Sequence, residues 1–245
     1  MAKTAPSIAL VTGGTSGIGK AICDDLLDRG YQIVTIARHT PARARKGVTH
    51  YTADLADSAA AGAIGREIAR RHAISHFVHN AGTSIGGSLE NSRTADFDYS
   101  YRLHVDAAVA LAQTIVPAMK KRGYGRIVLM ASRAALGRPD RGAYSSTKAA
   151  MLALARTWAL ELGVHGITVN AVAPGPIATD HFNGKNPPGS AIRRKLEAAI
   201  VVGRIGTPQE VAHAVAFLLA RESSFITGQT LFVCGGMSIG AASLL

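Results

Sequence analysis

Short runs of β-branched and apolar residues alternate along the chain with longer Ala- and Leu-rich segments of helical period. Such alternation is typical of β-α-β units, which build a parallel sheet with helices on both faces. The pattern predicts seven strands, at residues 8–12, 32–37, 48–52, 75–79, 126–130, 167–172 and 230–233. It predicts five helices between them, at residues 18–29, 58–72, 96–121, 143–162 and 208–220. We therefore expect an α/β fold with a doubly wound sheet.

Residues 174–190 interrupt this alternation. Prolines and glycines recur through the segment, and because neither sustains a helix or a central strand, we expect a mobile loop. Loops of this length in compact domains often cover an active site. Together with a basic helix predicted at residues 191–200, the segment is a candidate substrate flap over residues 174–203. A permissive surface insertion is the alternative interpretation.

The composition favours a single folded domain over residues 1–245. Hydrophobic residues make up 47% of the chain and charged residues 18%, which excludes a disordered tail or a solvated coiled coil. The length of 245 residues suits one large α/β domain.

The charge balance favours anionic partners. Lys and Arg number 27 against 16 Asp and Glu, a net charge of +11, which suits nucleic acid, acidic lipid or a phosphorylated cofactor. The basic residues are scattered and no nucleic-acid motif or aromatic stacking platform accompanies them. We therefore expect no nucleic-acid partner.

Other features indicate a cytoplasmic protein without a membrane or metal partner. Cys23 and Cys234 are far apart and outside any metal-ligand spacing, which favours reduced thiols. The first apolar run is too short for a signal peptide, and no stretch reaches the ~20 apolar residues of a membrane span. His72, His76 and His79 have no carboxylate at ligand spacing, so we expect no metal site.

A glycine-rich turn follows the first predicted strand and precedes the first helix. Glycines in that place let the backbone turn sharply and approach a pyrophosphate, whose charge is met by the helix N-terminal amides. The candidate phosphate-binding residues are Gly13, Thr15, Ser16, Gly17, Ile18 and Gly19. Since a lone glycine turn is weak evidence, its position between strand and helix is what indicates a dinucleotide site.

Tyr144 and Lys148 lie four residues apart on a predicted helix, so both side chains can enter one cleft. A free tyrosine has a pKa of ~10, too high for proton transfer at neutral pH. A charge at ~4 Å and an effective dielectric of ~20 contributes ~4 kcal/mol. We expect Lys148 to lower the pKa of Tyr144 in this way. A surface pair is the alternative for these two residues taken alone.

The motifs in order resemble the short-chain dehydrogenase/reductase family over nearly the whole chain. They are the glycine turn, Asn80-Ala81-Gly82 after the fourth strand, Ser132 after the fifth, Tyr144 with Lys148, and Pro174-Gly175 after the sixth. The resemblance implies a Rossmann-type, seven-stranded parallel sheet, a nicotinamide cofactor and a homotetramer. It also implies that Tyr144 is the catalytic acid or base, that Ser132 binds the substrate oxygen and that Lys148 holds the nicotinamide ribose.

The resemblance also assigns the cofactor contacts. Besides the glycine turn, Tyr144 and Lys148, they are Asp54 and Leu55 at the adenine, Asn80, Ala81 and Gly82 at the ribose, Pro174 and Gly175, and Ile177 and Thr179 at the carboxamide.

Two histidines depart from the family pattern, which has asparagine at both places: His79 and His104. We expect His79 to change local support only. Because imidazole titrates near neutrality, we hypothesise that His104 acts in the proton relay and adds a pH dependence. The alternative is that His104 fills space and the relay is weakened or rerouted.

The choice of dinucleotide follows from charge. NAD-binding relatives place a carboxylate at the end of the second strand, whereas this chain has Ala37 followed by Arg38. A guanidinium there can pair with a 2′-phosphate. We therefore predict NADP(H) as the preferred cofactor, with NAD(H) as the alternative.

The sequence thus predicts an NADP(H)-dependent oxidoreductase that interconverts a carbonyl and a secondary alcohol on a small or medium hydrophobic substrate. The alternative is a catalytically weak dinucleotide-binding regulatory or scaffold protein. The expected substrate pocket comprises Ser84, Ile85, Arg133, Ala134, Leu136, Arg138, Ile177, His181 and Phe182. Arg133 or Arg138 is either a ligand for an acidic substrate group or a surface charge.

Overall fold

Seven parallel strands form one sheet in the computed structural model, which describes residues 7–41 and 43–239. The strands are β1 (Ile8–Thr12), β2 (Gln32–Ala37), β3 (Val48–Thr52), β4 (His76–His79), β5 (Gly125–Met130), β6 (Ile167–Pro174) and β7 (Thr230–Val233). Their order in the sheet is β3-β2-β1-β4-β5-β6-β7. The predicted Rossmann-type, doubly wound fold is confirmed.

The helices follow the strands in the expected alternation. They are α1 (Gly17–Asp28), α2 (Ser58–Arg71), α3 (Thr94–Tyr101), α4 (Ala107–Arg122), α5 (Gly142–Leu162), α6 (Asp180–Lys185), α7 (Ala191–Ala198) and α8 (Pro208–Leu219). At the start of α8, the Thr207 side chain accepts from the Glu210 amide while the Glu210 carboxylate accepts from the Thr207 amide, a complete capping box.

Alternate residues of the central strands feed two hydrophobic cores, one on each face of the sheet. Leu10 of β1 packs into the core shared with α2, α4 and α5, whereas its neighbours Ala9 and Val11 pack into the core shared with α1 and α8. This is the side-chain alternation of a strand buried on both faces. The sheet is therefore packed on both faces, and the loops at the carboxyl ends of its strands begin at buried residues of the central strands.

Several elements differ from the sequence prediction in their bounds, and β6 extends to Pro174, which the sequence predicts to lie in the loop. Two further elements differ in kind. The helix predicted at 96–121 is divided by a π turn at Arg102–Asp106, where the Ala107 amide donates to the carbonyl of Arg102, five residues earlier. The loop predicted at 174–190 contains the short helix α6, whose N-cap Thr179 accepts from the amide of Phe182. α6 lies between the prolines of this segment and contains none of them. With a good N-cap at its start, the helix can therefore form.

Within the part of the chain that the structure describes, no helix combines the length and the apolar character needed to cross a bilayer.

Candidate active site

A cavity of about 640 Å³ opens at the carboxyl ends of the strands, where the strand order reverses between β1 and β4. Crevices at this place in open α/β sheets are the usual ligand sites. The sequence-predicted residues that line it are Gly13, Thr15, Ser16, Gly17, Ile18, Gly19, Arg38, Asp54, Leu55, Asn80, Ala81, Gly82, Ser132, Tyr144, Lys148, Pro174, Gly175 and Thr179. The structure thus brings nearly all the candidate residues to one site.

Ile177 is the exception among the predicted cofactor contacts. Its side chain is 5% exposed and packs in the core between the sheet and α8. A backbone bridge to Gly206 holds it there. The side chain of Ile177 thus lies in the core, and its contact with the carboxamide stays a prediction. Of the expected substrate pocket, Ser84 and His181 line the cavity and Ala134 is buried outside it. The other expected residues are not part of the cavity lining: Ile85, Arg133, Leu136, Arg138 and Phe182.

The glycine turn has the backbone that close approach to a phosphate requires. Gly13 and Gly17 have φ of 66° and 51°, in the left-handed region that favours glycine. A Cβ on Gly19 would overlap the carbonyl oxygen of Gly13. The first residues of α1, Gly17 to Gly19, line the cavity, and a helix N-terminus in this place fits a pyrophosphate.

The loop after β4, the strand beside β1, is joined to this turn through the hydroxyl group of Thr12. Thr12 Oγ1 accepts hydrogen bonds from the amides of Asn80 and Ala81, both at 2.9 Å. The Asn80 amide group donates in turn to the Thr12 carbonyl at 3.1 Å. The loops after β1 and β4 therefore form a single rigid wall of the cavity.

The basic residues after β2 differ in whether they form an ion pair. Arg45 is paired with Asp24 at 2.6 Å, on the side of α1. Arg38 and His39 line the cavity instead. Among the residues that the structure describes, no ion pair engages Arg38, so its guanidinium is available for a ligand at the adenosine end.

Ser132 and Tyr144 meet where the fifth strand ends. Ser132 follows β5, and its Oγ accepts from the Ala134 amide at 3.1 Å, which leaves the hydroxyl proton free to be donated. Burial raises the pKa of Tyr144 above its usual value of 10, while hydrogen bonding with Ser132 and the charge of Arg138 lower it. The phenol is therefore protonated at neutral pH and can act as a proton donor.

Lys148 lies deeper, one helical turn beyond Tyr144. Its Nζ donates to the carbonyl of Met130 at 2.7 Å and lies 5.7 Å from the centroid of the Tyr144 ring. Burial lowers the pKa of Lys148 to about 8. The bond to Met130 fixes the ammonium against β5, where it faces the cavity.

The expectation that Lys148 acidifies Tyr144 is corrected. The cation that lowers the pKa of Tyr144 in the structure is Arg138, and its effect is smaller than that of burial. The ammonium of Lys148 is held instead by the Met130 carbonyl at 2.7 Å and lies 5.7 Å from the centroid of the Tyr144 ring. A spacing of four residues places two side chains on one helix face without fixing which atoms approach each other.

Both ring nitrogens of His104 are occupied by fixed partners. Nε2 accepts from the amide of Thr83 at 3.0 Å, so the proton is on Nδ1, which donates to the Thr147 hydroxyl at 2.8 Å. Thr147 in turn donates to carbonyls of its own helix. Burial, and next the charge of Lys148, lower the pKa of His104 to about 2.

His104 is therefore neutral at physiological pH, and the expectation that it titrates near neutrality is wrong. The imidazole connects the loop after β4 to the helix that carries Tyr144 and Lys148. Gly82 lies directly against it, since a Cβ there would be 3.0 Å from His104 Nε2 and 3.4 Å from Lys148 Nζ. This arrangement matches the alternative of a space-filling histidine more closely than the relay, and it adds a positioning role.

His79 is the second buried imidazole beside this network. Since Thr12 Oγ1 already accepts two amides, it donates its proton to His79 Nδ1 at 3.2 Å. Burial, and next the charge of Lys148, lower the pKa of His79 to about 3, while the carbonyls of Leu103 and His104 at the π turn favour its protonated form. His79 thus lies between the glycine turn and the π turn; its Nδ1 is bonded to Thr12, whereas its Nε2 is buried without a hydrogen-bond partner in the described part of the chain.

Several site residues escape sequence reasoning. Thr83, Tyr99 and Leu103 line the cavity, and Thr147 anchors His104. Leu103 lies within the π turn at Arg102–Asp106, and Tyr99 lies on α3 just before that turn. Thr147 lies between Tyr144 and Lys148 and was visible as a polar residue on the same helix.

The segment predicted as a flap borders the cavity through Pro174, Gly175, Thr179 and His181. Its two helices form one unit, because Arg193 of α7 donates to Asn183 of α6 at 2.9 Å and lies 5.5 Å from the Phe182 ring centroid. The base of the segment is tied down where the Ala178 amide donates to the Gly206 carbonyl at 2.8 Å.

Among residues 7–41 and 43–239, no group of three His, Cys, Asp or Glu side chains is placed to hold a metal ion.

Comparisons with known proteins agree with this geometry. A family model described as "Enoyl-(Acyl carrier protein) reductase" matches residues 13–238. The chain is 34% identical to (2S)-[(R)-hydroxy(phenyl)methyl]succinyl-CoA dehydrogenase subunit BbsD of Thauera aromatica, over 96% of this chain and 97% of the relative. It is 31% identical to 3-oxoacyl-[acyl-carrier-protein] reductase FabG of Escherichia coli (strain K12), over 94% and 96%.

Solved structures show the same fold. ElxO with NADP bound superposes with a TM-score of 0.90 at 27% identity, over 96% of this chain and all (100%) of that chain. Cj0485 dehydrogenase superposes with a TM-score of 0.91 at 28% identity, over 99% and 98%.

Proposed function

Because the chain belongs to the short-chain dehydrogenase/reductase family, we propose that it is an NADP(H)-dependent carbonyl reductase. In reverse it acts as a secondary-alcohol dehydrogenase. The observation that carries the proposal is the meeting of Ser132, Tyr144 and Lys148 with the glycine turn in one cavity. The alternative of a regulator or scaffold without turnover finds no support in that arrangement.

Each side chain of the centre has a role that its environment allows. Tyr144, protonated at neutral pH, gives its phenolic proton to the substrate oxygen as the carbonyl becomes an alcohol. Ser132 donates a hydrogen bond to the same oxygen and so orients it. Lys148, a cation held by the Met130 carbonyl, lies where it can bind a ribose hydroxyl.

The nicotinamide dinucleotide supplies the hydride when bound. The glycine turn would hold its pyrophosphate, Asp54 and Leu55 the adenine side, and Asn80 to Gly82 the ribose side. Arg38 supports NADP(H) over NAD(H), because it lines the cavity without an ion-pair partner in the described part of the chain. The ElxO structures, which hold NADP and NADPH, support the same choice.

The substrate we propose is a small or medium hydrophobic carbonyl compound that the segment 174–203 covers as a flap. Its two helices are tied to each other by Arg193 and reach the cavity through His181. The names of the BbsD and FabG relatives, both thioester enzymes, support including thioesters among the candidates.

The assembly we propose is a homotetramer in the cytoplasm. Exposed apolar side chains on the surface support contacts between copies, among them Leu160 at 84% and Phe225 at 101% exposure. Both cysteines are free and buried, which suits a reducing compartment. Sedimentation analysis measures the assembly directly, and a monomeric mass contradicts the tetramer.

The experiment that tests the function follows nicotinamide absorbance with ketones, aldehydes, quinones, 3-oxoacyl thioesters and enoyl thioesters, each with NADPH and NADH. We expect reduction of at least one carbonyl class, faster with NADPH. Because the matching family model is described as an enoyl reductase, reduction of the enoyl thioesters without any carbonyl turnover contradicts the proposal.

A further inference from the structure

Three arginines crowd the segment between Ser132 and helix α5. They are Arg133, Arg138 and Arg141, with Asp140 as the single acidic residue among them. The segment folds back on itself through a 3-10 turn at Arg133–Leu136, a glycine at φ 99° and Asp140 at φ 57°. Because the segment starts directly after Ser132, its three positive charges stand beside the reacting centre, outside the lining of the cavity itself.

The segment is fixed to the cavity wall rather than free in solvent. The amide of Gly87 donates to the carbonyl of Asp140 at 3.0 Å, and Gly87 and Arg141 form a backbone bridge. The Arg141 guanidinium donates to the Asp140 carbonyl at 2.6 Å and lies over Gly86, where a side chain would collide with it. The loop that it covers continues from Thr83 and Ser84, which line the cavity.

The three charges act on one another and on the reacting centre. Desolvation, and next the charges of Arg141 and Arg133, lower the pKa of Arg138. Arg138 in turn lowers the pKa of Tyr144, so its charge reaches the phenol. Among the residues that the structure describes, none of the ion pairs engages any of the three. Clustered cations without acidic partners favour an anionic ligand.

The cofactor does not account for this cluster. The glycine turn after β1 and Arg38 after β2 serve the dinucleotide phosphates, whereas Ser132 and the arginines follow β5. In the sheet, β4 separates β1 from β5, so the arginines lie on the side of the reacting centre away from the adenosine end.

We infer that the substrate carries an oxyanion group, a carboxylate or a phosphate, and that Arg138 binds it with help from Arg133 and Arg141 at the margin of the active site. This inference rests on the proposed carbonyl reduction. A guanidinium suits both groups, because its planar pair of donors matches two oxygens of either. The chemistry shared by the two sources is therefore an oxygen-centred negative charge.

Two matched pairs of probes separate the sources. For the carboxylate, 3-oxobutanoate is compared with its methyl ester; for the phosphate, acetoacetyl-CoA is compared with the acetoacetyl thioester of N-acetylcysteamine, which lacks phosphate. We expect kcat/KM for one anionic member to exceed that of its neutral partner by about tenfold or more, the usual effect of a charge-assisted bond. Arg138→Gln should bring that ratio close to one.

Arg156→Gln is the matched control. Arg156 is exposed on the same helix as Tyr144, about 18 Å farther along it, and its removal changes the net charge equally. It should leave the ratio as in the unmodified protein. Equal reduction of both members of each pair, or a preference that survives Arg138→Gln, overturns the inference while leaving the proposed function intact. Absence of any carbonyl reduction overturns the proposed function, and the inference with it.

Discussion

His104 Nδ1 lies 2.8 Å from the hydroxyl of Thr147, the residue directly before Lys148. With its other nitrogen on the Thr83 amide, the imidazole joins two walls of the cavity and has no free nitrogen to pass a proton. It is a positioning residue, and the pH behaviour of the enzyme must come from other groups.

Replacing His104 with Gln tests this role. The Gln amide can still accept from Thr83 but loses the bond to Thr147, so we expect the free energy of unfolding to fall by about 1–3 kcal/mol. The midpoints of the kcat profile between pH ~6 and ~9 should not move, because a histidine held neutral does not titrate there. Urea denaturation and a pH profile measure the two effects. Loss of a limb with a midpoint near 6.5 in the variant restores the relay hypothesis.

The pH dependence of the two directions should differ. Burial raises the pKa of Tyr144, so the phenol stays protonated and carbonyl reduction is supported at neutral pH. Lys148, with a pKa of about 8, loses its charge as the pH rises through that value, and the KM for NADPH should rise with it. Alcohol oxidation needs the deprotonated phenol and should accelerate with pH. Steady-state kinetics in both directions measure this, and identical profiles contradict it.

Arg38 should decide between the two dinucleotides. Arg38→Gln removes the charge available to a 2′-phosphate, so kcat/KM with NADPH should fall about 10–100-fold, the usual effect of a charge-assisted bond. The value with NADH should change little. Lys46→Gln is the control, since Lys46 is an exposed cation from the same cluster that does not line the cavity. Equal losses with both cofactors exclude a 2′-phosphate contact.

Acid should destabilise the fold through three buried histidines. The pKa values of His76, His79 and His104 are lowered to about 3, 3 and 2, mainly by burial. Below their unfolded value of ~6.5 the unfolded chain binds more protons, so stability falls as the pH falls. Each contributes about 2 kcal/mol of this loss at pH ~5.

The measurement is the free energy of unfolding at pH ~7 and ~5. His76→Gln should reduce the difference between the two values by about one third, whereas His213→Gln, at an exposed position on α8, should not change it. Equal stability at both pH values contradicts the buried neutral state of these side chains.

Much of the fold follows from local pattern. β1, β2, β3 and β7 have the predicted bounds, since each is a short segment rich in β-branched or apolar residues. The start of α8 was predictable, since Thr207, Pro208 and Glu210 are a typical sequence for a helix N-terminus. The sequence also predicts those parts of the cavity wall that are backbone turns at strand ends, such as the turn with Gly13 and Gly17.

The remaining features depend on tertiary packing. The π turn at Arg102–Asp106 shifts backbone hydrogen bonds by one residue and leaves no mark in the side-chain pattern. Arg138 acts on Tyr144 across a folded loop, and Lys148 turns to the Met130 carbonyl of another element. Such relationships are set by packing, which local sequence does not encode.

The central claim is that the Tyr144 hydroxyl delivers the proton during carbonyl reduction. Tyr144→Phe removes that oxygen alone, and Tyr101→Phe, on the half-exposed Tyr101 of α3, removes the same atom outside the cavity. We measure kcat with NADPH and the best carbonyl of the panel, and the Kd for NADPH by calorimetry. The account predicts a fall in kcat of about 10²–10⁴-fold for Tyr144→Phe only, with Kd within about twofold of the unmodified value. Unchanged kcat in Tyr144→Phe contradicts it.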